Sequence, residues 1–295
     1  MYDNPLVIAS LDDENVEFLM KNQLKKLWNR VLNDEVDVEA FRKAKGGENF
    51  TIIKNWFFEE YKEVTGIVTP DDYIFKYTPN LMQRLVSYRL IREKHYGNWS
   101  GTGAGKTLAA IFSGRLAGAK NTVIICNNAT VAGWVESIHE YFKNNRVYTK
   151  KFLDDTPTNL YTEVDKYDVR LEPDQNNYLV LNYETFQLQD GEYIVSELLK
   201  HNTIDYVILD EVQNVKQRDV ESESTRRSVV NKLIIHAREK NDDLLVMAMS
   251  ATPVINNLTE PKKLIELLTG EKHDDLETSD NVINGVEMYK ALTRY

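Results

Sequence analysis

The rhythm of apolar and polar positions changes near residue 70. Before it, from about residue 10 to 65, Val16, Phe18, Leu19, Leu24, Leu27 and Trp28 fall at helical spacing, and Lys45-Gly46-Gly47 interrupts them. That pattern predicts helices with a break between them. After it come the short runs TVIIC (122–126), YLVLN (178–182), DYVILD (205–210) and LLVMAMS (244–250), which are apolar at nearly every position and carry β-branched or aromatic residues. Strands that are apolar throughout rather than alternately are buried on both faces, as in a parallel sheet. The segments Lys106–Ala119, Val131–Lys143, Tyr193–Lys200 and Thr225–Glu239 have helical periodicity. The alternation predicts an α/β fold, a doubly wound and mainly parallel sheet flanked by helices, at residues 71–295, preceded by a helical accessory segment at 1–70. The stretch 150–177, rich in Asp, Thr, Asn and Pro, reads as an exposed loop or small insert. Ligands of such a sheet bind at the carboxyl ends of its strands, so the residues that follow the apolar runs carry the interest.

Three such segments have chemistry. SGTGAGKT (100–107) supplies glycines at 101, 103 and 105 just before a helix; without Cβ atoms, successive N–H groups can turn toward one anion, and the helix points its positive end at the same place. Gly101, Thr102, Gly103, Ala104 and Gly105 thus predict a phosphate cradle for ATP. Lys106 reaches the β- and γ-phosphates, and Thr107 offers a hydroxyl to Mg²⁺. A strict version of this pattern has glycine at 100, where this chain has serine. Asp210 and Glu211 end the run DYVILD: Asp210 is suited to hold Mg²⁺ through water, and Glu211 to polarise an attacking water. The last run ends in Ser250-Ala251-Thr252-Pro253, where the hydroxyls of Ser250 and Thr252 can bridge the DE loop to whatever the motor holds. A helix cap is the alternative role for SATP alone. The order P-loop, DE, SAT, each at a strand end, is far more specific than any of the three alone.

Composition narrows the class. The chain of 295 residues is 42% hydrophobic and 28% charged, with 36 Lys+Arg against 46 Asp+Glu, a net charge of −10 and a pI near 5.2. This balance is opposite to that of a protein that coats nucleic acid, so any contact with such a polymer is local and made by loop ends and helix N-termini. The basic patch Lys21, Lys25, Lys26 and Arg30 reads as a solvated helix face. No apolar run approaches the roughly 20 residues of a membrane helix, and the acidic N-terminus does not resemble a secretory signal. Cys126 is the single cysteine, so neither a disulfide framework nor a zinc cluster is expected, and a reducing cytoplasm, or nucleus in a eukaryote, fits.

With these residues in place, the chain resembles the first RecA-like lobe of superfamily-two helicases and translocases from about residue 75 to 295, and within them the Swi/Snf-type duplex-DNA translocases. SGTGAGKT is similar to motif I and DEVQNVKQ to motif II. SATPVINNLTEPKKLIELL keeps Thr252, Pro253, Asn256, Asn257, Leu258 and Glu260 of that group's motif, with the SAT opening of helicases generally. YTPNLMQRLVSYRLI resembles the segment whose glutamine reads adenine, which implies that Gln83 pairs with the base, although Met82 replaces the usual aromatic. IICNNATVAGWVESIHEYF resembles motif Ia, with Asn127 where proline is usual. The resemblance implies that Asn128 and Thr130 touch a nucleic-acid backbone, and Trp134, at helical spacing with Ile138, reads as core. LNYETF is similar to the next strand-end loop and implies a contact from Thr185, with Asn182 departing from the family pattern.

The resemblance further implies a duplex-DNA partner and a second RecA-like lobe carrying arginine fingers, which this sequence lacks. The expected function is therefore an ATP-binding lobe of a nucleic-acid-dependent ATPase, nearly inactive in isolation, with the second lobe expected in a longer protein of which this is a fragment or, alternatively, in a separate chain. A motor subunit of a restriction or phage-defence system shares the motifs, and a nucleotide-regulated binding module without turnover is the alternative from another class, disfavoured by the retention of Lys106, Asp210 and Glu211.

Overall fold

In a computed structural model, the described residues are 60–294, apart from 151, 152, 154, 155, 166, 167, 188, 216–223 and 254–256. The helical stripe and basic patch expected before residue 60, and Asn256, lie outside them. The elements in chain order are α1 (Leu81–Glu93), β1 (His95–Asn98), α2 (Lys106–Leu116), β2 (Asn121–Cys126), α3 (Val131–Tyr141), β3 (Asn145–Thr149), β4 (Thr162–Glu163), β5 (Asn176–Asn182), α4 (Gln189–His201), β6 (Tyr206–Asp210), α5 (Thr225–Lys240), β7 (Leu245–Met249), α6 (Thr259–Thr269) and α7 (Val282–Arg294).

The strands form one seven-stranded sheet in the order β1-β7-β6-β2-β5-β3-β4. Every pairing in it is parallel. Alternate residues of each central strand feed two separate cores. Val123, Ile125, Val207, Leu209, Val246 and Ala248 pack on one face, against α4 to α7. Ile124, Cys126, Tyr206, Ile208, Met247 and Met249 pack on the other, against α1 to α3. Burial on both faces is why the four apolar runs show no period-two alternation. The fold is thus the expected RecA-like, doubly wound parallel sheet.

The outer strands are the ones whose sequence is least apolar. β1 is HYGN and β3 is NRVYT, yet Tyr96, Gly97 and Asn98 of β1 are buried. The polar stretch 150–177 holds a 3₁₀ turn at Thr158–Leu160 and the two-residue strand β4. Strand edges short enough to be supported by neighbours need little apolar content of their own.

Two ion pairs join the chain on either side of position 71 to the sheet-flanking helices α1 and α2. Glu60 and Arg89 form a buried two-point ion pair, with Nε to Oε1 at 2.8 Å and Nη2 to Oε2 at 3.1 Å. Arg115 likewise reaches Asp72 at 3.1 Å. Removing one member of such a pair leaves an uncompensated buried charge. Arg89→Ala is therefore expected to cost about 3–5 kcal/mol, read by denaturant unfolding. Replacing Glu60 and Arg89 together with apolar residues should recover most of it.

Candidate nucleotide site

Strand order brings together segments that are far apart in sequence. The P-loop leaves β1, SATP leaves β7 and the DE pair leaves β6, and these three strands are neighbours. In register, Asn98 faces Met249 and Met249 faces Asp210, so all three loops emerge at one level. β2 and β5 continue the row, with Cys126 opposite Asn182. Five strand ends thus make one continuous rim.

The P-loop begins on Asn98, which is 2% exposed. Its Oδ1 accepts from the backbone N–H of Ser100 at 3.3 Å and from the Ser100 hydroxyl at 2.7 Å, and its carbonyl accepts from Ser250 N–H at 3.3 Å. The serine that replaces glycine at 100 is therefore a tie between the loop and its strand. Gly103 and Gly105 take φ of +75° and +78°, the left-handed conformation that glycine adopts without cost. Helix α2 starts at Lys106 with no side-chain cap, so its first-turn N–H groups remain available to an anion. Nothing lies within 4 Å of where a Cβ of Gly101 or Gly103 would stand, which leaves the mouth of the cradle open. Lys106 Nζ donates to the carbonyls of Ser100 at 2.9 Å and Gly101 at 3.0 Å, folded across the loop that its ammonium would leave to meet a phosphate. Thr102, Ala104 and Thr107 complete the loop, and Thr107 is partly exposed at the first turn of α2.

Gln83 is drawn to the same loop. It lies in α1, where it closes a capping box with Asn80: Asn80 N–H donates to Oε1 at 2.8 Å, and Gln83 N–H donates to Asn80 Oδ1 at 3.0 Å. Its Nε2 donates to the Gly105 carbonyl at 3.2 Å. A side chain at 105 would meet this amide at 2.5 Å. Gln83 thus spans helix cap and phosphate loop, and each carboxamide atom keeps one more hydrogen-bonding site for a base.

Asp210 and Glu211 sit at the rim beside this loop. Glu211 has φ of +50°, an uncommon left-handed conformation for a residue with a side chain, of the kind that collects at functional sites. From it a chain of contacts runs to the third motif. Gln213 Nε2 donates to Glu211 Oε2 at 2.6 Å, Ser250 Oγ donates to Gln213 Oε1 at 2.7 Å, and Thr252 N–H donates to Ser250 Oγ at 2.9 Å. Ser250 is fully buried, and its hydroxyl meets the DE loop through Gln213, a residue not singled out from sequence. Ala251 lies between these two residues, and Thr252 is exposed.

Burial raises the pKa of Asp210, and the charge of Glu211 adds to the rise. The indole N–H of Trp134 and the more distant Lys106 ammonium oppose it. A carboxyl with a raised folded-state pKa favours the fold at pH values below its unfolded pKa, and that contribution is lost as pH rises through the folded value. Asp210→Asn, which has no charge to desolvate, should therefore raise the neutral-pH melting temperature. The difference should narrow as pH falls and wild-type Asp210 protonates, which differential scanning calorimetry at several pH values would read.

The donor set fits a magnesium ion better than a protein-caged metal. Asp210 and Thr107 offer oxygen ligands only, and no cluster of three or more His, Cys, Asp or Glu suited to a metal occurs among the described residues. Few protein ligands beside a phosphate cradle are what Mg²⁺ takes when phosphates and water complete its shell.

The remaining rim residues are partly turned inward. Asn128 and Thr130 are exposed in a 3₁₀ turn, Asn128–Thr130. Thr185 is buried, and its hydroxyl and N–H both donate to Asn182 Oδ1. Of the three residues expected to touch a backbone, Asn128 and Thr130 are thus exposed and Thr185 is not, and Asn182 Nδ2 of β5 donates to Asn128 Oδ1 at 3.0 Å. Burial pushes the Cys126 thiol up to about 12, so it is protonated and inert. No helix among the described residues is long and apolar enough to cross a membrane.

A parallel sheet with P-loop, DE and SAT side by side defines a helicase-like ATPase lobe. Residues 16–290 match the SNF2-related domain, and the chain belongs to that family. A stretch of 79 residues is 44% identical to nucleoside triphosphatase I of Melanoplus sanguinipes entomopoxvirus, covering 25% of this chain and 12% of that protein. Among solved structures, the UvsW helicase from bacteriophage T4 is 14% identical with a TM-score of 0.42, over 66% of this chain and 60% of that one. The DUF1998 helicase MrfA bound to DNA is 16% identical with a TM-score of 0.44, over 65% and 26%. The chain thus spans less than two thirds of each of these proteins.

Proposed function

We propose that the chain is the ATP-binding lobe of a nucleic-acid-dependent ATPase that translocates along duplex DNA, and that a second RecA-like lobe, in the same protein or a partner, completes the catalytic cleft. The observation that carries this reading is the level rim of β1, β7 and β6, where an uncapped P-loop helix faces Asp210 and Glu211 and a side-chain chain joins Glu211 to Ser250. Phosphates would be held by the N–H groups of residues 101–107 and by Lys106, and the base by Gln83. Mg²⁺ would be held by Asp210 and Thr107, where it neutralises charge developing on the phosphates. Glu211 would take a proton from the attacking water. Asn128 and Thr130 are the proposed backbone contacts, and a loss of γ-phosphate would reach Thr252 through Gln213 and Ser250.

Because phosphoryl transfer depends on charge stabilisation from both sides of the phosphate, a missing arginine costs roughly 10³–10⁵ in rate. The lobe tested without a second lobe should bind nucleotide yet turn it over negligibly, with or without DNA. The deciding experiment compares ATP hydrolysis by the lobe with and without its second lobe, each with duplex DNA, single-stranded DNA and RNA. Stimulation by duplex DNA only when both lobes are present supports the proposal. Strong stimulated turnover by residues 1–295 alone, or a preference for RNA, would overturn the respective part of it. Tight nucleotide binding with no turnover under any of these conditions would favour a nucleotide-regulated binding module.

A further inference from the structure

Trp134 is a core residue with one polar atom to satisfy. It lies on α3, is 2% exposed, and its Nε1–H donates to Asp210 Oδ2 at 2.9 Å. A buried indole N–H has to find an acceptor, and here the acceptor is the carboxylate assigned to Mg²⁺. Trp134 belongs to the same buried cluster as Val131, Val135 and Ile138 of its own helix and Cys126 at the end of β2, so the donor sits on a packed side chain rather than on a mobile arm.

A second contact fixes the same loop from the same segment. Asn214, three residues beyond Glu211, donates through Nδ2 to Asn127 Oδ1 at 2.9 Å and to the Glu211 carbonyl at 2.8 Å. Tyr183 Oη donates to the Asp210 carbonyl at 2.8 Å from the β5 side. The backbone of the DE loop is thus located by Asn127 and Tyr183, while the Asp210 carboxylate is held by the Trp134 indole N–H, its one side-chain donor, beside the Glu211 backbone N–H. With Oδ2 accepting the indole N–H, the carboxylate cannot turn away from α3 without leaving a buried donor unpaired.

We infer that Trp134 is a positioning residue for the metal carboxylate: its indole N–H fixes the rotamer of Asp210 so that one oxygen is presented to Mg²⁺. This rests on the nucleotide reading of the site. It touches neither nucleotide nor metal itself, and acts only through Asp210. Partners that orient a metal-ligating carboxylate typically change metal affinity by about 10- to 100-fold when removed.

Trp134→Phe keeps an aromatic ring in the pocket and removes the donor. The test is binding of a fluorescent ATP analogue to the chain, titrated with Mg²⁺ and repeated in EDTA. The expected result is a rise of about 10- to 100-fold in the Mg²⁺ concentration giving half-maximal tightening, with affinity in EDTA unchanged. An unchanged Mg²⁺ dependence, or an equal loss with and without Mg²⁺, overturns the inference and leaves a packing role. Absence of nucleotide binding by the wild type would overturn the nucleotide reading and this inference with it. Should the variant fail to fold, NMR of the wild type and of Asp210→Asn answers the question with the indole intact. The sequence has 4 tryptophans, and one of their indole N–H resonances should shift on Asp210→Asn and again on adding Mg²⁺ with ADP. No resonance responding to both overturns the inference.

Discussion

Glu211→Gln is expected to lower DNA-stimulated ATP hydrolysis by about 10²–10⁴, the usual contribution of a positioned general base, while leaving nucleotide affinity near that of the wild type. The substitution keeps the shape of the side chain and one carbonyl oxygen to accept from Gln213, whose Nε2 lies 2.6 Å from Glu211 Oε2. It removes only the ability to take a proton. Glu211 is held in a left-handed conformation at the end of β6, so its direction is set by the backbone and should survive the change. Phosphate release under saturating ATP, measured in the two-lobe protein, checks this. Hydrolysis unaffected by the substitution would remove Glu211 from its role.

Lys106→Ala should have the other large effect, at the binding step as well as in turnover. The ammonium is the one side-chain cation in the P-loop and now spans the carbonyls of Ser100 and Gly101. A nucleotide would replace those two neutral acceptors by phosphate oxygens, a charge-assisted exchange that stabilises both the bound state and the charge developing in transfer. Removing such a clamp costs about 10²–10³ in turnover. Alanine leaves the helix start intact, since alanine is the best helix former, so the loss should appear without a lower melting temperature. Parallel calorimetry and phosphate-release assays separate the two.

The central strands were legible because burial on both faces demands apolar residues at successive positions, and TVIIC, YLVLN, DYVILD and LLVMAMS meet that demand. The edges were not. His95–Asn98 is stabilised from outside: β7 pairs it along its whole length, and the indole of Trp99 closes over Gly97 so tightly that a Cβ there would meet the ring at 2.1 Å. Nothing in four residues of mixed polarity announces this. The clustering of the motifs at strand ends was legible for a different reason, since glycine spacing before a helix and a DE pair after an apolar run leave a local mark. Gln213 and Trp134 leave none. One reads as a polar loop residue and the other as core, and their roles depend on Ser250 and Asp210, which the fold brings to them from other parts of the chain. A buried tryptophan was the available signal, because its N–H must be satisfied by something.

The claim at the centre is that this lobe holds a magnesium nucleotide in the cradle at residues 100–107. Equilibrium binding of a fluorescent ATP analogue to the chain, in Mg²⁺ and in EDTA, with wild type and Lys106→Ala compared side by side, tests it most directly. Saturable binding that tightens with Mg²⁺ and is lost in Lys106→Ala is the expected result. Binding that ignores both the metal and the lysine, or no saturable binding by the folded wild type, would contradict it.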